Sequence, residues 1–401
     1  MLSNVLKQET TITVTPDVIK TRCGKINKNV STIIWKAGEL EENILKCFPN
    51  ANYLDCSDNN LSNLKGIHVL KKLDKLKCSN NKIKKLDPLL ECLKLRELEC
   101  CFNLLTSLKG LEKCKRLEIL LCNNNELSSL EELDHLVSLK TIECRNNKLE
   151  TLIGIQNFSK LKELDCRNNQ LISISSIMSC ENLKRFKCSS NKLRDINGIE
   201  FCKNLELFEC DNNLLVTITG VDMCFNLNKF TCNNNKLLSI AEIGSCPNLR
   251  KFGCSGNKLK SIIIVGSCYK LEKLLCDNNE ITSISGLGKC SNLRVLSCKN
   301  NDLSSVIGIE TCSKLEEFDC SGNKLSDLQG VEMCKSLRKV NCSKNKLRST
   351  DSLLKLRNLV QVNHEGNNLE DDGHKIKEHL ERRQSEILRT SKTHDMRLSR
   401  K

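Results

Sequence analysis

Twenty-seven cysteines stand in a chain of 401 residues, and fourteen of them fall on one period. From Cys56, steps of 22 residues land on Cys78, Cys100, Cys122, Cys144, Cys166 and Cys188, and continue unbroken to Cys342. The next step lands on His364. A second column lies eight residues before the first: Cys92, Cys114, Cys180, and every later step as far as Cys334. Thiols so placed could hold a metal, close disulfides or carry redox chemistry. Zinc needs four ligands around one point, usually as closely spaced cysteine pairs, whereas these columns are lines. In the second column Leu70, Leu136, Phe158 and Leu356 replace cysteine. A metal ligand cannot become leucine, but a core side chain can, and cysteine is a small, readily buried hydrophobe. Parallel side chains also cannot easily supply the near-perpendicular torsion of a disulfide. Packing is therefore the expected role, with no metal and no cofactor. His364 reads as a partly exposed cap residue, and Cys101, outside both columns, is the candidate reactive thiol.

The elements that position the cysteines repeat with them. Three residues after each ladder position stands asparagine, from Asn59 to Asn367, and two before it stands Leu, Ile, Phe or Val. The unit reads L-x-x-L-x-C-x-x-N-x-L, followed by an 11-residue return that often contains glycine. Alternation around the second leucine has period two, that of a short strand. Leu164 and Cys166 then point inward, and Glu163 and Asp165 outward. Asparagine at the turn can satisfy backbone groups that the turn leaves unpaired. Stacked copies predict two structural ladders, Asn147–Asn169–Asn191 and Cys144–Cys166–Cys188.

This unit resembles the leucine-rich repeat in its 22-residue intracellular form, typified by a protein phosphatase 1 regulator, over residues 50 to 370. The resemblance implies an α/β solenoid. Such a solenoid is a right-handed horseshoe or arc with a parallel β-sheet on the concave face and 3₁₀ or short helical turns on the convex face. The expected organisation is an N-terminal capping region (1–50), a solenoid of about 15 repeats (51–370) and a C-terminal capping helix with a basic tail (371–401). The segment from Ser31 to Phe48 reads as strand, turn and short helix around the only tryptophan, Trp35, and Ile376, Leu380 and Ile387 lie near helical spacing. The Asn-, Lys- and Ile-rich vocabulary is similar in style to uncharacterised leucine-rich-repeat proteins of giant DNA viruses of amoebae.

Recognition in a solenoid falls to the outward strand positions, which vary without disturbing the core. Here Phe102, Ile119 and Leu121, with Cys101 and Leu104, make an apolar cluster. Glu97, Glu99, Glu143, Glu163, Asp165, Arg145, Arg167, Arg185 and Lys187 flank it as a charged rim, the form of a protein-binding hot spot. The alternative is that Phe102 and Leu104 tuck into the core. Leu207 with Leu215, and Leu275 with Val295, are weaker versions. Lysines after the asparagine, such as Lys82, Lys148, Lys192 and Lys324, line one edge as a solvated rim or a contact for an acidic partner.

Composition narrows the classes. Net charge is +14, and only 3% of residues are aromatic. Nucleic acid is the disfavoured partner, because the outward positions lack stacking aromatics and Glu126, Glu280 and Asp302 interrupt the lysine rim. No apolar run reaches membrane-spanning length and no signal-peptide core is apparent. The expected location is intracellular and cytoplasmic (host cytoplasm if viral), not secreted, with reduced thiols. No catalytic motif is present, so no enzyme is expected. The expectation is a monomeric, non-enzymatic scaffold binding a protein on its concave face. The alternatives are a nucleic-acid or acidic-surface binder using the basic rim, and an adaptor acting through its C-terminal tail.

Overall fold

The structure, a computed structural model, describes residues 11–22, 25–371, 373–383 and 385. The chain divides after Leu205 into two compact units.

In the first unit, parallel strands follow one another in chain order. From Tyr53–Asp55 through Lys75–Lys77, Glu97–Glu99, Ile119–Leu121, Thr141–Glu143 and Glu163–Asp165 to Arg185–Lys187, partners lie 22 residues apart. Each strand is only three residues long, because the chain must turn at the asparagine to reach the next coil. The middle residue is buried in each, and the two beside it lie on the opposite face.

Two further strands precede these. Thr11–Val14 pairs in parallel with Thr32–Trp35, which pairs with Tyr53–Asp55. These partners lie 21 residues apart rather than 22. The residues from 32 to 45 do form strand, turn and short helix, but they are not the first coil. Trp35 follows the pair Ile34–Asp55 and so holds the inward place that Cys56 holds next door. It is fully buried, and its indole Nε1 donates to the Gly38 carbonyl at 2.9 Å.

In the second unit, Leu207–Glu209, Lys229–Thr231, Lys251–Gly253, Lys273–Leu275, Val295–Ser297, Glu317–Asp319, Lys339–Asn341 and Gln361–Asn363 continue the same 22-residue register. Phe208, Phe230 and Phe252 stack in its core, with ring centroids 5.4 and 5.7 Å apart. Stacking of this kind adds about 0.5–1.5 kcal/mol per pair beyond area burial. The last coil is followed by a helix over 374–383, anchored by the buried Ile376. Ile387 and the basic tail lie outside the described residues. His364 is half-buried, as a residue at the end of the ladder should be.

Two forms of return recur. Where the tenth residue after the ladder cysteine is Gly66, Gly110, Gly154, Gly198, Gly220, Gly308 or Gly330, its φ is positive. At Gly154, with φ +112°, an added Cβ would run into the Leu130 carbonyl of the preceding coil. Other returns are five-residue 3₁₀ helices, such as Asp87–Glu91 and Ser175–Ser179. Gly286 belongs to this second group, within Ser285–Lys289, and its φ is not positive. It therefore lacks the left-handed bend of the first group.

Candidate binding face

Asparagine and cysteine build the scaffold of the face. Asn169 shares its Nδ2 hydrogens among the carbonyls of Cys144 (3.0 Å), Cys166 (3.0 Å) and Arg167 (3.3 Å), while its Oδ1 accepts from Leu149 N at 3.0 Å. Asn147 repeats this with Cys122, Cys144 and Leu127, and Asn191 with Cys166, Cys188 and Leu171. The predicted asparagine ladder is therefore present, and every rung serves its own coil and the coil before.

First-column thiols add stitches in the other direction, and second-column thiols reach back. Cys166 Sγ donates to the Lys187 carbonyl at 3.4 Å, and Cys122 Sγ to that of Glu143 at 3.3 Å. In the second column Cys334 Sγ donates to Ile309 O at 3.1 Å. Leucine could fill these places but could not donate, and a buried carbonyl left underused costs stability. Cys144, Cys166 and Cys188 are all buried free thiols. Burial pushes the Cys144 and Cys166 thiols well above the ordinary range. It raises Cys92 to about 12 and Cys114 to about 11. Cys101 is half-buried, and its pKa is raised too, chiefly by desolvation. A reactive thiol needs a lowered pKa, so Cys101 lacks the activation expected of it. Among the described residues, no three His, Cys, Asp or Glu side chains converge in a metal-holding group. No helix there is long and apolar enough to cross a membrane.

The outward strand positions carry mostly paired charge. Lys75 reaches Glu97 at 2.5 Å, and Lys77 reaches Glu99 at 2.9 Å. Arg167 forks onto Asp165 through Nε at 2.9 Å and Nη2 at 2.7 Å. Arg145 lies 3.8 Å from Glu143 and 3.9 Å from Asp165, and Arg185 lies 3.9 Å from Glu163. Asp165 points outward in the alternation, yet it is only 8% exposed because the Arg167 guanidinium covers it. Glu97, Glu99, Glu143, Arg145, Arg167 and Lys187 are half-buried, and Glu163 and Arg185 are exposed.

The apolar members of the predicted cluster lie on the surface. Phe102 is 56% and Leu104 38% exposed, and Ile119, Leu121 and Cys101 are half-buried. Neither Phe102 nor Leu104 tucks into the core. Phe102 has φ +53° and occupies the left-handed position two residues after the ladder cysteine. Asparagine is the usual occupant in this unit, at Asn80, Asn124, Asn146 and Asn168. Their side chains form a second, exposed ladder: Asn80 donates to Asp58, Asn146 to Asn124 and Asn168 to Asn146, each at 2.7 Å. Phe102 interrupts it between Asn80 and Asn124. A bulky side chain at positive φ is strained, and such strain gathers at functional sites.

In the second unit Leu215 is core rather than surface, because five residues after the cysteine the chain points inward. Leu275 and Val295 are half-buried and line a depression of about 410 Å³ on the strand face, with Lys273, Glu317 and Asp319 at its rim. On the lysine edge, Lys148 pairs with Glu126 at 2.9 Å and Lys324 with Asp302 at 2.5 Å. Glu126 and Asp302 thus neutralise their neighbours. Sequence reading missed one feature altogether, an ion-pair series four residues before the ladder cysteine. Arg96 pairs with Asp74, Lys140 with Glu118, and Arg294 with Glu316, always 22 residues apart. These partners look unrelated until the coils are placed in register.

The family profile "Leucine Rich repeats (2 copies)" matches residues 269–308, 291–333 and 313–355. No curated protein matches the chain by sequence. Among solved structures, a leucine-rich-repeat protein of Leptospira interrogans is similar, with a TM-score of 0.77 at 22% identity over 88% of this chain and 99% of that one. The functional domain of InlJ from Listeria monocytogenes, which includes a cysteine ladder, gives 0.71 at 22% identity, over 79% of this chain and 68% of that one. The plant peptide hormone receptor RGFR1, solved in complex with RGF2, gives 0.73 at 23%, over 89% and 65%. With its strands, ladders and returns in this register, the chain has the leucine-rich-repeat fold, and residues 269–355 match the repeat family itself.

Proposed function

We propose that this protein is a non-enzymatic interaction scaffold that binds a protein partner as a monomer. Its contact would centre on Phe102, Leu104, Ile119 and Leu121, on the strand face that the fold class makes concave. The observation that carries the reading is Phe102, a phenylalanine that is 56% exposed at φ +53° where asparagine would be unstrained and ladder-bonded. A residue that costs the fold stability and gives it no packing in return is explained by a partner that covers it. The ion-paired charges around it suit a rim that sets orientation more than affinity. A plant receptor of similar fold was solved with RGF2 bound, which supports recognition as a use of such a surface. The many buried free thiols favour a reducing compartment such as the cytoplasm.

The test compares partner capture by the wild-type chain, by Phe102→Asn and by the pair Ile119→Asp, Leu121→Asp. Both variants change exposed or half-exposed side chains and should fold. Proteins retained by the wild type should be lost from both. A partner held equally well by all three would overturn the assignment of this patch.

A further inference from the structure

The ion-pair series along the strand-entry edge stops short in the second unit. Arg250 pairs with Glu272, and Arg294 with Glu316. The next cation is Arg338, but one coil further on Val360 stands where the carboxylate would be. Arg338 is exposed and has no carboxylate partner among the described residues. The same holds for Arg357, in the return that leads to Val360.

A depression of about 480 Å³ opens at this break, walled by Arg294, Arg338, Arg357 and Arg383. Glu316 is the one carboxylate lining it, and Arg294 already holds it through Nε at 2.9 Å and Nη2 at 2.6 Å. Arg383 comes from the helix over 374–383, and its Nη2 donates to the Arg357 carbonyl, so the capping helix carries a cation to the same place. Ser336 adds a hydroxyl to the wall.

We propose that this depression binds a phosphate monoester. Guanidinium groups present rigid forks of donors that match phosphate oxygens, and they remain charged at any physiological pH. A phosphate dianion has enough oxygens to accept from two or three arginines at once. A lone carboxylate has two oxygens, and the one in the wall has not neutralised the cluster. Four cations in a concave pocket raise the local concentration of anions well above that at a flat surface. The depression has room for the group that carries the phosphate. A free phosphorylated small molecule and a phosphorylated side chain share this chemistry.

The test uses the full chain and arginine modification by phenylglyoxal, mapped by mass spectrometry at constant ionic strength in sodium chloride. Inorganic phosphate at about millimolar concentration, the range of a weak single-group ligand, should slow modification of Arg338 and Arg357 at least about fivefold. Exposed Arg116 and Arg194 should be unaffected. Arg338→Gln should raise the phosphate concentration needed to protect Arg357 about tenfold, the effect of losing one good contact. Stronger protection by the peptide Ala-phosphoserine-Ala than by inorganic phosphate would assign the ligand to a modified side chain. Equal or weaker protection would assign it to a free phosphate compound. The proposal is overturned if phosphate protects no better than chloride, or protects Arg116 and Arg194 equally.

Discussion

Asn168 Nδ2 donates to Asn146 Oδ1 at 2.7 Å, tying together the left-handed residues of two successive turns. At Phe102 that tie is missing and the backbone strain remains. Phe102→Asn should therefore stabilise the protein by about 1 kcal/mol, the order of the left-handed penalty. The urea midpoint measures this. A midpoint that falls would show that the ring packs usefully within the chain.

Asn169 offers the converse case. Asn169→Leu strands the Leu149 N–H and takes one donor from the carbonyls of Cys144, Cys166 and Arg167, which keep Asn147, Asn191 and the Asn146 N–H. An unsatisfied buried group costs about 1–3 kcal/mol, so the variant should lose at least that much. In a solenoid held by neighbour contacts, the denaturation curve should also broaden. An unchanged midpoint would mean that water replaces the amide.

The thiols predict an alkaline limit. Burial raises Cys92 to about 12 and Cys114 to about 11, so the folded chain keeps protons that the unfolded chain releases. Their contribution is whole below about pH 8.5, the ordinary thiol pKa, and is lost as pH climbs through the folded values. Each such thiol costs about 1.4 kcal/mol per pH unit across that window. Urea midpoints should fall steeply between about pH 8.5 and 10, and Cys92→Val should shallow the fall. Midpoints that stay flat over this range would contradict the burial of the columns.

Two glycines should respond in opposite ways to alanine. Gly154 has φ +112° and a carbonyl where the new methyl would go, so Gly154→Ala should cost more than about 1–2 kcal/mol. Gly288 lies in the 3₁₀ helix Ser285–Lys289 with nothing within 4 Å of an added Cβ. Gly288→Ala should be neutral or gain about 0.4–1 kcal/mol through the unfolded chain. Thermal melts decide both.

The period made the strands from Tyr53 to Asn363 legible, because a fixed 22-residue step allows one register only. Thr11–Val14 escaped because its step is 21 and Val14 stands where cysteine does later, whereas Thr32–Trp35 was legible as a strand but not in its 21-residue register. Phe102 could be picked out as an apolar residue on an outward position, but its left-handed backbone became visible only in the turn. Asp165 shows the limit of alternation: period two says which face a residue points to, not whether Arg167 lies over it. The Arg294–Glu316 pair and the bare Arg338 depend on lateral contacts across 22 residues, which local pattern does not encode.

Within each unit, asparagines reach back to the preceding coil, and thiols such as Cys166 and Cys276 reach forward to the next. Asn191 holds the Cys166 carbonyl and the Leu171 N–H, while Cys166 holds the Lys187 carbonyl. Because the asparagine and its backbone partners recur at the same places, excising one whole 22-residue module rejoins these threads to equivalent partners. Removing a single residue leaves all of them misaligned. Gene duplication and unequal crossing-over can therefore lengthen or shorten this array freely, but only in whole coils.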